Sequence, residues 1–410
     1  MPKCPVCEEK VQKNWVFCPM CGVRLDSDVE SGESRLDRLK YLWEREEGGR
    51  FIYSNFSLVK NAGVFPYVKV EPVRPELGDF GHINLYNLHI CSLLYLNPSF
   101  TYEFYRIGKL MGYYSADEAL KTMKLGKFVN VLNKTGLFWR IFQSKSVQKV
   151  HRDGWRGHKA ADVRTTKVDK RGKRVKYVIK EGYTSSVNAP KPFCFGIVGV
   201  LCGHAEALFD GFWDGFETKC QCVGDPYCEV EIYLHESEEE PRIHMFSRDE
   251  SNSILDGIIA DTVNRDIIHR KEFGDFVHIS TDQCINYLLL SLSPGHAILS
   301  KYAGKICGER IAKKAEIQGL ENALGYLEGL FLYLKAGILR SGIKPDRVIV
   351  KMRESVYASG VNNIHMNLCI FLAGIIEGAL NEATEKKWDV NEMKCIASGF
   401  SECEFWCKAV

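Results

Sequence analysis

The chain lacks an excess of charge of either sign, since 54 Lys and Arg stand against 52 Asp and Glu in 410 residues. The whole molecule therefore has no field that would choose nucleic acid or an anionic membrane, and any such preference must be local. Long apolar runs are missing as well. Segments such as PFCFGIVGVLCG are too short to span a bilayer, and the opening MPKCPVCEEK has no stretch resembling a signal peptide, so a cytoplasmic protein with no membrane span is expected. There is also no nucleotide-binding glycine loop, no HExxH and no Ser-His-Asp arrangement, so no catalytic constellation presents itself. What is present, 45% hydrophobic and 26% charged residues, suits a globular chain of two domains and a small module.

The module is written in the first cysteines. Cys4-Pro-Val-Cys7 and Cys18-Pro-Met-Cys21 are two CxxC knuckles ten residues apart, and each turn aims two thiolates at one point. Together they form the closed tetrahedral shell used by structural zinc, which predicts a zinc ribbon over residues 1–25. The acidic, Ser-rich stretch after it predicts a linker over 26–36. Sixteen cysteines in a reducing compartment do not make a disulfide framework, so metal binding, redox chemistry or burial must account for the rest.

Self-similarity accounts for much of the remainder. Gly78-Asp79-Phe80-Gly81-His82-Ile83 returns 196 positions later as Gly274-Asp275-Phe276-Val277-His278-Ile279, and the same offset carries Gly108 to Gly304 and Gly112 to Gly308. Farther on the offset becomes 175. It carries Cys194 to Cys369, Gly199 to Gly374, Gly203 to Gly378, Glu217 to Glu392, Cys220 to Cys395 and Cys228 to Cys403, with eleven identities in 36 ungapped positions. Two divergent copies of one domain are expected, at 37–235 and 236–410. Each offers three cysteines and a glutamate: Cys194, Glu217, Cys220 and Cys228 in the first, and Cys369, Glu392, Cys395 and Cys403 in the second. Three thiolates and a carboxylate suit zinc, so with the ribbon three ions per chain are expected. Each glutamate could instead cap a turn or pair with Lys219 or Lys394.

FCFGIVGVLCGHAEALF followed by CQCVGDPYCEVEI, and more loosely CIFLAGIIEGAL followed by CIASGFSECEF, resemble the C-terminal part of the 4-vinyl-reductase (4VR) domain family. The resemblance implies an α+β fold, an antiparallel sheet packed with helices, shared with the sensor domains of phenol-responsive activators and with small subunits of the TRAPP transport particle. In the phenol sensors three Cys and one Glu at this spacing bind zinc beneath an apolar pocket, where a His and a Trp upstream of the first zinc cysteine read the ligand hydroxyl. No such pair is placed at matching positions here.

The rest of each copy reads accordingly. LNPSFTYEFYRIGKLMGYYS and LSPGHAILSKYAGKICGERI have apolar residues at mixed three and four spacing, as amphipathic helices do, and YVIKEGYTSS and RVIVKMRESVYAS alternate as strands do. Gly199 and Gly203, like Gly374 and Gly378, open a groove along a helix that could serve packing within a copy, pair the copies, or join chains into a homo-oligomer. The copies differ most at residues 145–181, where thirteen Lys and Arg against four acids and a turn at Lys170-Arg171-Gly172-Lys173 predict a basic hairpin insertion. Arg171, Lys173 and Arg174 are its candidate nucleic-acid contacts, and the acidic run Glu236 to Glu240 could neutralise it. Of the spare thiols, Cys222, beside a metal ligand, and Cys202 are the redox candidates. The function expected is a zinc-binding sensor or adaptor for a small apolar ligand or a protein partner, without catalysis of its own. A redox-responsive or nucleic-acid-binding regulator of archaeal type, and an enzyme or accessory of tetrapyrrole vinyl reduction, are the alternatives.

Overall fold

The computed structural model describes residues 72–410 apart from 123–141, 143, 172, 210, 236–240, 266–268, 362–363 and 365. The expected ribbon with Cys4, Cys7, Cys18 and Cys21, the linker and the acidic run Glu236 to Glu240 lie outside the described residues.

The fold is α+β, and the described elements fall into two series of the same order. The first runs β1 (Phe80–His82), α1 (Ile83–Leu96), α2 (Phe100–Thr122), α3 (Lys145–Gly157), β2 (Asp162–Asp169), β3 (Arg174–Lys180), α4 (Phe195–Phe209), β4 (Phe212–Lys219) and β5 (Cys228–His235). A bridging helix α5 (Arg248–Asn264) opens on a capping box of Ser247 and Glu250. The second series runs β6 (Phe276–His278), α6 (Ile279–Leu292), α7 (Pro294–Lys314), α8 (Leu320–Tyr333), β7 (Ile338–Ile343), β8 (Val348–Arg353), α9 (Ile370–Thr384), β9 (Trp388–Lys394) and β10 (Cys403–Ala409). Each series builds one antiparallel four-stranded sheet, of order β2-β3-β5-β4 in the first half and β7-β8-β10-β9 in the second.

The glycines explain the helix pairs. A Cβ on Gly108, Gly112, Gly199 or Gly203 would come within 3.0 Å of backbone across the α2–α4 contact, and the same holds for Gly304, Gly308, Gly374 and Gly378 across α7–α9. Only hydrogen fits there. The groove anticipated on the cysteine-bearing helices is thus filled within each half, backbone against backbone.

Residues 145–181 need a correction. Lys145–Gly157 is the helix α3, capped by the Ser144 side chain on Val147 N, and only β2 and β3 form the hairpin. The pair is no insertion extending from the domain, because β3 also pairs with β5 in the interior of the sheet and α8, β7 and β8 stand at the corresponding places in the second half. Its charges are largely consumed: Arg152, Arg156 and Arg164 converge on Asp162, and Arg174 and Lys176 on Glu231.

The halves meet around a local two-fold axis. β1 and β6 pair antiparallel with Gly81 opposite Val277, so that each strand pairs with its own counterpart. Reciprocal bonds continue outward: Ile83 N donates to Asp275 O and Ile279 N to Asp79 O, while His82 N donates to Leu334 O and His278 N to His158 O. Beyond these, each half grips the entry segment of the other. Glu181 accepts from Glu272 N and Phe273 N, and Glu354 accepts from Glu76 N and Leu77 N. The buried Arg270 donates to Lys159 O at 2.6 Å and to Glu181 O at 3.2 Å, and the buried Arg74 donates to Lys335 O at 2.6 Å. Helix α1, buried along Ile83–Leu94, runs through the centre, where His89 stacks on Phe371 of the second half at 4.1 Å.

Candidate metal centres and a polar cluster in the first half

Each metal-ligand set is assembled from three pieces. Cys194 and Cys369 immediately precede α4 and α9, and the paired strands β4–β5 and β9–β10 bring in the rest. Between the strands the chain makes a single 3-10 turn, closed by Gly224 at φ +98° in the first half and Gly399 at φ +92° in the second, so that the cysteine before the turn faces the one that starts the next strand. The strand registers slip beside Glu217 and Glu392. Such bulges re-aim a side chain, and here both carboxylates turn toward the thiols.

The sulfur atoms of Cys194, Cys220 and Cys228 stand 3.8 to 3.9 Å apart. In the second half Cys403 lies 3.6 Å from Cys369 and 3.9 Å from Cys395. A tetrahedron with metal–sulfur bonds of about 2.3 Å has edges of about 3.8 Å, so the thiols already stand at the spacing one ion would impose. One oxygen of each glutamate accepts from the first cysteine's amide, at 2.9 Å for Glu217 and 3.0 Å for Glu392, and the other, Oε1, is buried with no partner. Neither glutamate is spent on a lysine: Lys219 Nζ donates to Tyr227 and Lys394 Nζ to Glu404. Burial and the neighbouring thiols push both carboxyls well above their ordinary range, while hydrogen bonds from their neighbours hold Cys220 and Cys395 far down. Amide donors reinforce this, from Gln221 N to Cys228 Sγ and from Ile396 N to Cys403 Sγ. A buried set of four anionic donors with one orphaned oxygen is a site for a cation. All eight residues named from the spacing are thus brought together in two sets of four.

Residues 348–409, which contain most of the second sheet and the second centre, match the model of the 4-vinyl-reductase (4VR) domain. The second half carries a 4VR domain. Over 151 residues the chain is 25% identical to the uncharacterized protein MJ0150 of Methanocaldococcus jannaschii, covering 37% of this chain and 86% of that protein. Among solved structures, a vinyl-4-reductase family protein from Methanocaldococcus jannaschii shares 23% identity over 27% of this chain and 68% of its own, with a TM-score of 0.23. The phenol-responsive sensory domain of the transcription activator PoxR, solved with phenol, shares 17% over 32% of this chain and 76% of its own, with a TM-score of 0.19.

Set against the 4VR half, the first half contains a cluster that sequence reasoning missed. Trp155 Nε1 donates to His151 Nε2 at 3.2 Å, His204 Nδ1 lies 3.4 Å from the same nitrogen, and Ser115 Oγ lies 3.1 Å from His204 Nε2. One proton arrangement satisfies these three contacts: Ser115 donates to His204, and His204 and Trp155 both donate to His151. Tyr177 closes one side, its ring 6.0 Å from that of His151. Burial keeps both imidazoles neutral, His151 down at about 4 and His204, beside it, at about 3. The corresponding positions of the 4VR half are Leu327, Phe331, Ala379, Ile311 and Val350, all buried and apolar. The available signal was His151 and Trp155 four apart, one turn of a helix, in a stretch whose basic residues drew the reading toward a hairpin.

The remaining candidates are dispersed. Arg171 and Lys173 are exposed at the β2–β3 turn, and Arg174 is held by Glu231 at 2.9 Å. Cys202 is buried, its thiol pushed up to about 12, too high for a thiolate at neutral pH. Cys222 is buried beside the first centre. Among the described residues no helix is long and apolar enough to cross a membrane.

Proposed function

We propose that this chain is a zinc-ordered receptor for a small, largely apolar molecule carrying one hydrogen-bonding group, with no chemistry of its own. The first half receives the ligand at His151, Trp155, His204 and Ser115, and the 4VR half serves as a partner built into the same chain. One observation carries the reading. Where the 4VR half packs Leu327, Phe331, Ala379 and Ile311, the first half spends the same interior volume on a neutral hydrogen-bonded chain. Stability alone favours the apolar solution, because a polar network adds little over well-packed hydrocarbon and costs heavily where it is incompletely satisfied. Neutral imidazoles that can each give or take a proton at a ring nitrogen suit a hydroxyl, and the Trp and Tyr faces suit a planar body.

Zinc fits the two thiolate-rich sets by softness, by spacing and by the orphaned glutamate oxygens, and its part is to fix the turns that hold the sheet against α4 and α9. A nucleic-acid role is weakened by the carboxylates that neutralise the β2–β3 hairpin.

The test is thermal unfolding of the zinc-loaded chain against phenol, indole and similar small planar probes. A ligand at a hundredfold excess over its Kd should add about 2.7 kcal/mol of stability. His204→Ala and Trp155→Phe, which install the residues of the 4VR half, should abolish that gain while leaving the unliganded protein folded. Failure of every probe to stabilise the wild type, or gains that survive both substitutions, would reject the reading.

A further inference from the structure

The two metal centres are not equivalent, and the difference is Cys222. It sits in the 3-10 turn between Cys220 and Cys228, buried, with its thiol donating to Thr184 O at 3.3 Å. Thr184 in turn donates through Oγ1 to Cys194 Sγ at 3.3 Å, so the two cysteines share one neighbour. The Cys222 thiol also lies within hydrogen-bonding reach of both the Cys194 and the Cys220 thiols. In the 4VR half the matching residue is Ala397, fixed as the counterpart because Ala189 N donates to Cys222 O just as Ile364 N donates to Ala397 O. Five donors thus surround a tetrahedral site in the first half and four in the second.

We propose that Cys222 is an alternative fourth ligand, so that the first centre can close its shell with four thiolates, Cys194, Cys220, Cys222 and Cys228, whereas the second depends on Glu392. The proposal deepens the zinc reading above and rests on it. Thiolate and carboxylate each bring one negative charge, so the exchange leaves the charge of the zinc complex unchanged. Cys222 loses its thiol proton on binding, as the other three cysteines do. The softer donor is well matched to zinc, and the turn needs only a side-chain rotation away from Thr184 O to deliver it.

The experiment counts zinc per full-length chain after exhaustive dialysis and compares each variant with the wild type, so that metal bound elsewhere cancels. Glu217→Gln should retain the wild-type count, because Cys222 takes the vacated position, and Glu392→Gln should lose one zinc. For the second centre the loss should be at least the ~10- to 100-fold in affinity that removing a mere outer-shell partner costs. Cobalt substitution provides the spectroscopic arm: thiolate-to-metal charge-transfer absorption should be maintained or increased in Glu217→Gln. Cys222→Ala alone should keep its metal through Glu217. Ala397→Cys added to Glu392→Gln should restore the zinc of the second centre, a gain that misfolding cannot mimic. Equal losses in the two glutamine variants, or no rescue by Ala397→Cys, would overturn the proposal while leaving the zinc reading intact. Absence of zinc from both centres of the wild type would overturn both.

Discussion

Replacing Arg270 by Met should destabilise the whole chain rather than the second half alone. The guanidinium is buried at the two-fold axis and donates to four carbonyls, Gly274 and Phe276 in its own half and Lys159 and Glu181 in the other. Burial lowers its pKa to about 10, still high enough to keep it charged at neutral pH. Methionine keeps most of the apolar volume but leaves four inward carbonyls without a donor. Hydrogen bonds to a charged group contribute ~1.5–3 kcal/mol each. The desolvation of the guanidinium offsets much of that sum, and breaking a buried charged contact by removing one partner costs about 3–5 kcal/mol net. Arg74 provides an internal control. Of its guanidinium nitrogens only Nη2 finds an acceptor, Lys335 O, while Nε and Nη1 have none, so Arg74→Met should cost clearly less. Urea unfolding followed by tryptophan fluorescence can report on each half, since Trp155 and Trp213 lie in the first and Trp388 and Trp406 in the second. One transition is expected from both sets of probes, with its midpoint lowered and its slope unchanged. The same coupling bears on Cys220→Ser and Cys395→Ser. Sequence alone suggests that each would unfold its own copy, but the reciprocal bonds across the axis predict that each weakens both. Two separate transitions, only one of them moved by Arg270→Met, would refute this account, and so would an equal cost for Arg74→Met.

Two further outcomes follow from single positions. Gly203→Ala should destabilise despite the gain of about 1 kcal/mol in helix propensity, because its Cβ meets the Lys109 carbonyl and Tyr113 N, which are backbone and cannot rotate away; overpacking of about 1–3 kcal/mol or more should dominate in a denaturation curve. Gly257→Ala in α5, with nothing within 4 Å, should instead stabilise by up to about 1 kcal/mol, and the reverse order would sink the argument. Asp282 is buried among Tyr86, Tyr183 and Tyr357 with neither oxygen bonded, and burial raises its carboxyl to about 8. The folded state therefore holds a proton that the unfolded state releases near 4, and stability from this group falls as pH rises toward 8. The buried histidines, depressed to between about 3 and 4, act in the opposite direction but only below their unfolded value near 6.5. Between pH 6.5 and 8 Asp282→Asn should flatten the fall in melting temperature, and an unchanged slope would show that the carboxyl is ionised in the fold.

The parts of this molecule legible in the sequence are those where side-chain identity does the work. Cys194, Cys220 and Cys228 and their counterparts could be read because metal ligation fixes residue type and spacing together. Gly199 and Gly203 could be read because only glycine lets two helix backbones touch, although the partner helix became evident only with Gly108 and Gly112 against them. The axis was not legible. β1 and β6 are three residues each, too short for alternation to register, and the bonds from His82 N to Leu334 O and from His278 N to His158 O are main-chain bonds that any residue could make. The arginines that fasten the axis donate to carbonyls, which carry no residue identity at all. His151 and Trp155 went unnoticed for a different reason: α3 is strongly basic on its outer face, and charge density outweighed an i, i+4 pair.

These observations connect the metal to the axis within a few residues. In the first half Glu181, which holds the entry segment of the second, is three positions from Thr184, whose hydroxyl donates to Cys194. In the second, Glu354 holds the entry segment of the first and stands directly before Ser355, whose hydroxyl lies 3.1 Å from Cys369 Sγ. An ion that fixes Cys194 or Cys369 therefore also fixes the loop whose other end is gripped by the opposite half. Tyr183 and Tyr357 lie on the same two loops, Tyr183 against Tyr86 of the central helix α1 and Tyr357 within 3.4 Å of His89 on that helix. A change in the packing of α1, which the first half presents to both loops, cannot be confined to one side. A receptor with one polar cluster and one apolar counterpart gains from this arrangement, because the apolar half supplies a rigid reference against which occupation of the other can be registered.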